Sequence, residues 1–325
     1  MYKYTTPRTR REERVQSTTV EEDLTSNLQF ALLAKLPLDV TPSTSALQNA
    51  MSSNEAKAAS TQQGDRALVR QSQLLRQSSI RLGSHEETFA EAYSYDSSHF
   101  MNNFLRYGQE KTYAKGYFSP EANIPLDSLS RVEQFVGIVN RLPATGNVTL
   151  YRGGCGARGT SGEAFRIGPV KVGDILCNTD FASFTENPHT AKEFSSSVIG
   201  VEHHFDSTSV IFVLEHHKSA KIFAPLSIRS KAPYSEAESL VAPGKFFKIM
   251  SITENNVTLS GKYQKYMEIL LNEVDQIKPV VSTETLSSAL EFPPEVYDLR
   301  TGERIDVEVW SSRLGAAADQ SIAWS

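Results

Sequence analysis

The sequence predicts an α+β fold, helices first and strands after them, and three observations carry that prediction. Apolar residues recur at helical spacing between residues 85 and 142, then give way after Thr145 to short β-branched and aromatic runs. Helices followed by strands, without strand–helix alternation, argue against a doubly wound parallel sheet. The third observation is compositional. Only Tyr2, Tyr4 and Phe30 among the aromatics precede residue 85, so the core is expected downstream of it.

Residues 1–84 hold 11 Lys+Arg and 8 Asp+Glu, a net of +3 in a chain whose total is −5. Ser, Thr and Gln fill 17 of the 40 positions from 41 to 80. Such a stretch buries too little apolar surface to offset its chain entropy, so it reads as a flexible leader with short helices at 28–36 and 67–80. Phe89, Ala92, Tyr93, Phe100, Met101, Phe104 and Leu105 predict helix over 85–107. Val132, Phe135, Val136, Ile138 and Val139 predict another over 129–142, closed by Pro143. Strands are expected at 148–151, 210–214, 221–224, 239–241 and 246–252, with turns at Gly173, Gly200 and Pro243-Gly244. Residues 295–310 suggest a hairpin around Arg300-Thr301-Gly302-Glu303. The expected division is a leader (1–84), a catalytic domain (85–275) and a C-terminal extension (276–325).

Composition narrows the function classes. A mildly acidic balance argues against direct nucleic-acid binding, which needs a basic footprint. Two cysteines cannot build a disulfide framework or a zinc site, and Cys155 and Cys177 read as free thiols. No apolar run of about 18 residues exists to span a membrane. The one signal-peptide-like core, 30–40, is interrupted by Lys35, Pro37 and Asp39. His203-His204 and His216-His217 place adjacent rings on opposite strand faces, so they read as solvated histidines and no metal is expected. Phe194 reads as core. Gly154-Cys155-Gly156-Ala157-Arg158-Gly159 matches a dinucleotide fingerprint, yet residues 160–169 are too broken by Gly and Pro for the helix that fingerprint requires. It reads as a glycine-rich surface loop.

Three polar signatures remain. Leu150-Tyr151-Arg152-Gly153 ends an apolar strand in arginine. Phe181-Ala182-Ser183-Phe184-Thr185 follows 31 residues later, counted from Arg152 to Ser183. Tyr234-Ser235-Glu236-Ala237-Glu238 lies 53 and 55 residues beyond Ser183, counted to its two glutamates. On a strand, residues two apart share a face, so Glu236 and Glu238 are expected to point together, as are Ser183 and Thr185. Two carboxylates on one face repel, which makes a purely structural role unattractive for both.

Together the three signatures resemble the arginine–serine–glutamate class of mono-ADP-ribosyltransferases. Ser183-Phe184-Thr185 departs from that class's Ser-Thr-Ser strand but keeps the first serine and a hydroxyl at the third position. The resemblance implies two packed, mainly antiparallel sheets around an NAD cleft, with NAD+ as co-substrate. It implies that Glu238 stabilises the oxocarbenium-like ribose and that Glu236 orients and deprotonates an acceptor guanidinium. Ser183 would hold Glu238 and the nicotinamide ribose, and Thr185 would help bind NAD+. Arg152 would clamp the phosphates or adjoining ribose, while Gly153 would let the backbone approach the nicotinamide amide. The loop 229–235 would recognise the target, with Tyr234 as a contact. The expected partner is a host or target protein bearing an acceptor arginine, with no membrane, and the chain is expected to be monomeric. Its polar leader and the absent Sec signal suggest an effector or toxin acting in a host cytoplasm, a phage- or bacterium-encoded cytoplasmic enzyme being the alternative. Two other functions fit the same residues: an NAD glycohydrolase and a non-catalytic interaction module.

Overall fold

In a computed structural model of the chain, residues 43–52, 56–110, 125, 127–198, 204–227, 236–259, 261–274 and 295–317 are described. All of them fall within one unit, Asp39–Ser325. The first elements are helices: α1 (Ser43–Ser52), α2 (Ala56–Gln77), α3 (Ser84–Ala92), a π-helical turn (Tyr93–Ser97), α4 (Ser98–Tyr107) and α5 (Ser128–Arg141). Next come β1 (Leu150–Gly154), α6 (Gly162–Arg166), β2 (Ile175–Cys177), β3 (Ala182–Thr185) and α7 (Pro188–Ser195). The strands β4 (Val210–His216), β5 (Lys221–Ile222), β6 (Glu238–Val241), β7 (Phe246–Leu259), β8 (Lys262–Val274) and β9 (Val296–Asp298) lead to α8 (Val307–Ser311).

Local chemistry explains the borders of these elements. The Asp127 carboxylate accepts the Ser130 N–H at 2.7 Å and caps α5, whose Val132, Phe135, Val136 and Val139 are buried. Asn187 caps α7 through the His189 N–H at 3.1 Å, with Pro188 in the first turn, where a missing N–H is harmless. Gly108, at φ +66°, closes α4 by donating to the Phe104 carbonyl at 2.7 Å. No helix among the described residues is long and apolar enough to cross a membrane.

The strands form one nine-stranded sheet, ordered β5-β6-β3-β1-β4-β8-β7-β2-β9, instead of the two sheets expected. The pairs β4–β8 and β2–β9 are parallel and the others antiparallel. The seam that joins the halves is β1, which pairs fully with β4 and through Tyr151↔Thr185 with β3. Layering is achieved by curling. β3 and β7 stand four strand spacings apart, about 19 Å along a flat sheet. Yet the rings of Phe184 and Phe247 are 6.2 Å apart, within a core shared by Ala182, Phe212, Val241 and Ile249. β4 shows why the sheet can carry two cores: Val210, Phe212 and Leu214 enter this one, whereas Ile211 and Val213 enter a second with Leu47 and Met51 of α1. Helices α3–α5 cover a third, around Phe89, Tyr93, Phe135 and Phe181.

Several expectations change here. The 43–77 region, read as mostly flexible, contains α1 and α2; the helix expected at 67–80 is the second half of α2, and the one expected at 28–36 lies outside the described residues. α2 holds its place with buried Ala67 and Val69 but also with fully buried Gln71, a contribution that composition does not register. β8 has no counterpart among the expected strands. The expected C-terminal hairpin is half present. β9 forms, but its return arm is the single bridge Tyr297↔Arg304, after which Asp306 caps α8 by accepting the Val309 N–H at 3.0 Å. The glycine-rich loop does contain a short helix, α6, although Gly159 at φ +71° does not open it.

Residues 295–317 complete the same body as the helices. β9 pairs with β2, Leu314 is fully buried, and the Trp310 indole donates to the Thr179 carbonyl at 3.0 Å. Trp310→Ala is therefore expected to lower the unfolding free energy by about 3–5 kcal/mol in urea titrations. A loss below about 1 kcal/mol would mean that this segment is a loose appendage.

Candidate active site

The ladder between β3 and β6 sets Ser183 opposite Leu240 and Thr185 opposite Glu238. Ser183 and Glu238 are thus diagonal neighbours on one face, and the Ser183 hydroxyl donates to Glu238 Oε1 at 2.6 Å. Glu238 is 7% exposed, so this hydroxyl is a near neighbour of a carboxylate largely withdrawn from water. Beside the β1–β3 seam opens a cleft of about 240 Å³, lined by Arg152, Gly153, Ser183, Thr185, Glu236 and Glu238.

Glu236 reaches the cleft by a different route from the one expected. β6 begins only at Glu238, and Ala237 has φ +46°, in the left-handed region, so the two glutamates are not alternate residues of one strand. Thr185 accounts for the turn. Its hydroxyl donates to the Glu236 carbonyl at 2.5 Å and accepts the Asn187 N–H at 2.9 Å. One hydroxyl thereby ties the end of β3 and the cap of α7 to the backbone of Glu236. The Glu186 N–H adds a bond to the Ala237 carbonyl at 3.4 Å.

Arg152 is half-buried and donates one guanidinium N–H to the Ser183 carbonyl at 2.7 Å. Burial draws its pKa below the usual arginine value, while the nearby Asp180 carboxylate opposes the shift. Asp180 is itself ion-paired with Arg106. Gly153 has a packing reason as well. A Cβ there would meet the Ala191 carbonyl of α7 at 1.8 Å, so only glycine allows this helix to lie against β1.

Other residues of the cleft lacked a distinct signature in the sequence. Tyr93, in the π-helical turn, stacks on Phe135 with ring centroids 4.3 Å apart. Burial, then the charges of Glu238 and Asp180, push its phenol pKa upward, so it remains protonated. Asn102 of α4 accepts the Phe181 N–H at 3.1 Å and so ties that helix to the approach to β3. Phe194 is half-buried and lines the cleft, where the Arg158 guanidinium sits 4.5 Å from its ring centroid. Arg158 belongs to the glycine-rich run whose dinucleotide pattern fails, which is why it escaped notice. Its Nε is buried without a hydrogen-bond partner among the described residues.

The sequence matches no family model and no curated protein. Solved structures do match. The Vis toxin, an ADP-ribosyltransferase from Vibrio splendidus, aligns over 81% of this chain and 99% of its own, at TM-score 0.54 and 19% identity. Vis in complex with the M6 inhibitor gives 0.54 and 20%, over 79% of this chain and 98% of that one. Vis in complex with agmatine gives 0.52 and 19%, over 79% and 99%. The chain has the ADP-ribosyltransferase fold.

Within this ADP-ribosyltransferase fold, the structure brings Arg152, Gly153, Ser183, Thr185, Glu236 and Glu238 to one cleft. Tyr234 and the loop 229–235 lie outside the described residues. Cys155 and Cys177 are buried free thiols. His203 lies outside the described residues, and His204 is exposed, its ring 2.8 Å from the Ser197 hydroxyl. No group of three or more potential metal ligands occurs among the described residues.

Two substitutions probe the turn before β6. Ala237→Gly should raise stability by up to about 1 kcal/mol in chemical unfolding, because a left-handed backbone costs alanine about 1–2 kcal/mol. A loss of stability would show that the turn is unstrained. Thr185→Val should cost about 1–3 kcal/mol by stripping buried backbone groups of their partner, and Thr185→Ser should restore most of it.

Proposed function

We propose that the protein is a mono-ADP-ribosyltransferase that moves ADP-ribose from NAD+ to the guanidinium of an arginine on a target protein. The observation that carries this reading is the convergence of Arg152, Ser183, Glu236 and Glu238 on one cleft, with the Ser183 hydroxyl 2.6 Å from Glu238. Two features fit a dinucleotide. The half-buried Arg152 lines the cleft, and so does Arg158, whose buried Nε has no hydrogen-bond partner among the described residues. Both suit pyrophosphate oxygens, for which guanidinium is a good match.

The chemistry assigns the roles. The bond between ribose C1′ and the nicotinamide nitrogen breaks, and nicotinamide leaves with the electron pair as a neutral amide. Positive charge develops on the sugar, and a carboxylate fixed beside it stabilises the transition state. That role falls to Glu238, which Ser183 holds. Arginine is protonated at neutral pH and a poor nucleophile. A second carboxylate, Glu236, orients it and takes a proton as its nitrogen bonds to C1′. The Vis structure with agmatine supports a guanidinium acceptor, since agmatine carries that group. The toxins among the structural matches support an effector acting on proteins of another cell.

The test is transfer of radiolabel from NAD+ to lysate proteins, alongside measured nicotinamide release. Glu236→Gln should abolish labelling and keep nicotinamide release, while Glu238→Ala should lower both by about 10²–10³-fold. Nicotinamide release without any protein label in the unmodified chain would make it a glycohydrolase. No turnover at all would end the enzymatic reading.

A further inference from the structure

The polar helix α2 bonds to Glu186 and Ser239, the chain neighbours of Thr185 and Glu238. Gln71 is fully buried, and both ends of its amide are used. Its Oε1 accepts the Phe223 and Ala224 N–H groups at 3.1 and 3.0 Å. The same two groups also donate to the Glu238 carbonyl, at 3.1 and 2.8 Å. Its Nε2 donates to Ser239 Oγ at 3.2 Å and to Glu186 Oε1 at 2.9 Å. Arg70 forks onto the same Glu186 carboxylate, with Nε 3.2 Å from Oε2 and Nη2 on Oε1, and spends Nη1 on the Thr145 carbonyl at 2.6 Å.

Glu186 follows Thr185 directly, and its N–H donates to the Ala237 carbonyl. A continuous path of hydrogen bonds therefore runs from α2 through Glu186 to the turn that carries Glu236. We propose that Glu186, held by Arg70 and Gln71, is a positioning residue for Glu236, and that α2 thereby belongs to the transfer machinery. The argument rests on geometry. Glu186 has 12% side-chain exposure and three charge-assisted or amide donors fixing both its oxygens, so its backbone is fixed from one side by α2. On the other side sits an unfavourable φ at Ala237, which needs external support to persist. Thr185 supplies part of that support and Glu186 the rest.

This inference rests on the transferase reading, and the experiment separates the two. In the full chain, Arg70→Met is expected to cut protein labelling at least fivefold. Nicotinamide release should stay within twofold and KM for NAD+ should be unchanged, because Glu238 and the dinucleotide site are left in place. Arg70→Lys should recover part of the labelling. A parallel fall in labelling and nicotinamide release, or no fall in either, overturns the proposal. Should Arg70→Met fail to fold, Glu186→Gln reads the same split; if neither folds, these side chains are scaffolding and the proposal is withdrawn. If the unmodified chain proves inactive with NAD+, the transferase reading fails alone. The positioning claim is then read by hydrogen exchange at the Glu186 amide, expected to quicken about tenfold in Arg70→Met. Unchanged exchange there would sink it.

Discussion

The short ladder between β3 and β6 is the constraint on which the cleft depends. Four residue pairs, from Ala182↔Val241 to Thr185↔Glu238, decide that a serine lies diagonal to one glutamate and a threonine next to the turn bearing the other. A slip of one residue would turn Ser183 and Thr185 toward Phe212 and Val241 and put Phe184 on the cleft face. The register is held from both sides by burial, since Leu240 enters the helical core and Val241 the inter-strand core. Packing thus fixes chemistry. The apolar residues of these strands place the polar ones.

Charge in the site is handled by pairing. Arg106 with Asp180 and Arg70 with Glu186 are largely shielded from water. Removing one partner of such a pair costs more than the pair contributes, because it strands the other charge. Arg152 is half-buried, with its guanidinium against the Ser183 carbonyl and the Asp180 carboxylate nearby.

The fold and the centre of the site were legible because they rest on signals a sequence can carry. Helical periodicity marked α5, an unbroken β-branched and aromatic run marked β4, and Arg152, Ser183, Glu236 and Glu238 stand at the spacings that carried the resemblance. Glu236 and Glu238 both line the cleft, but not through the expected alternation on one strand. A left-handed alanine is invisible in a sequence, since glycine is the residue that signals it. α2 was legible only as a short helix at 67–80, and its place in the folded body was obscured for a related reason. Arg70 and Gln71 look like markers of disorder until Glu186, more than a hundred residues away, supplies their partner. The single sheet in place of two turns on one residue pair at the β1–β3 seam, below the resolution of any pattern.

The docking of Trp310 on the Thr179 carbonyl has a temporal meaning. Thr179 precedes Asp180 and β3, while Trp310 is separated from it by 131 positions. Contacts of such long range form slowly, after the intervening chain has been ordered. A nascent chain that has emerged only as far as β8 already contains every glutamate, serine and arginine of the cleft. It still lacks the wedge against which the approach to β3 settles. The cleft is therefore completed late in synthesis, well after the residues that line it.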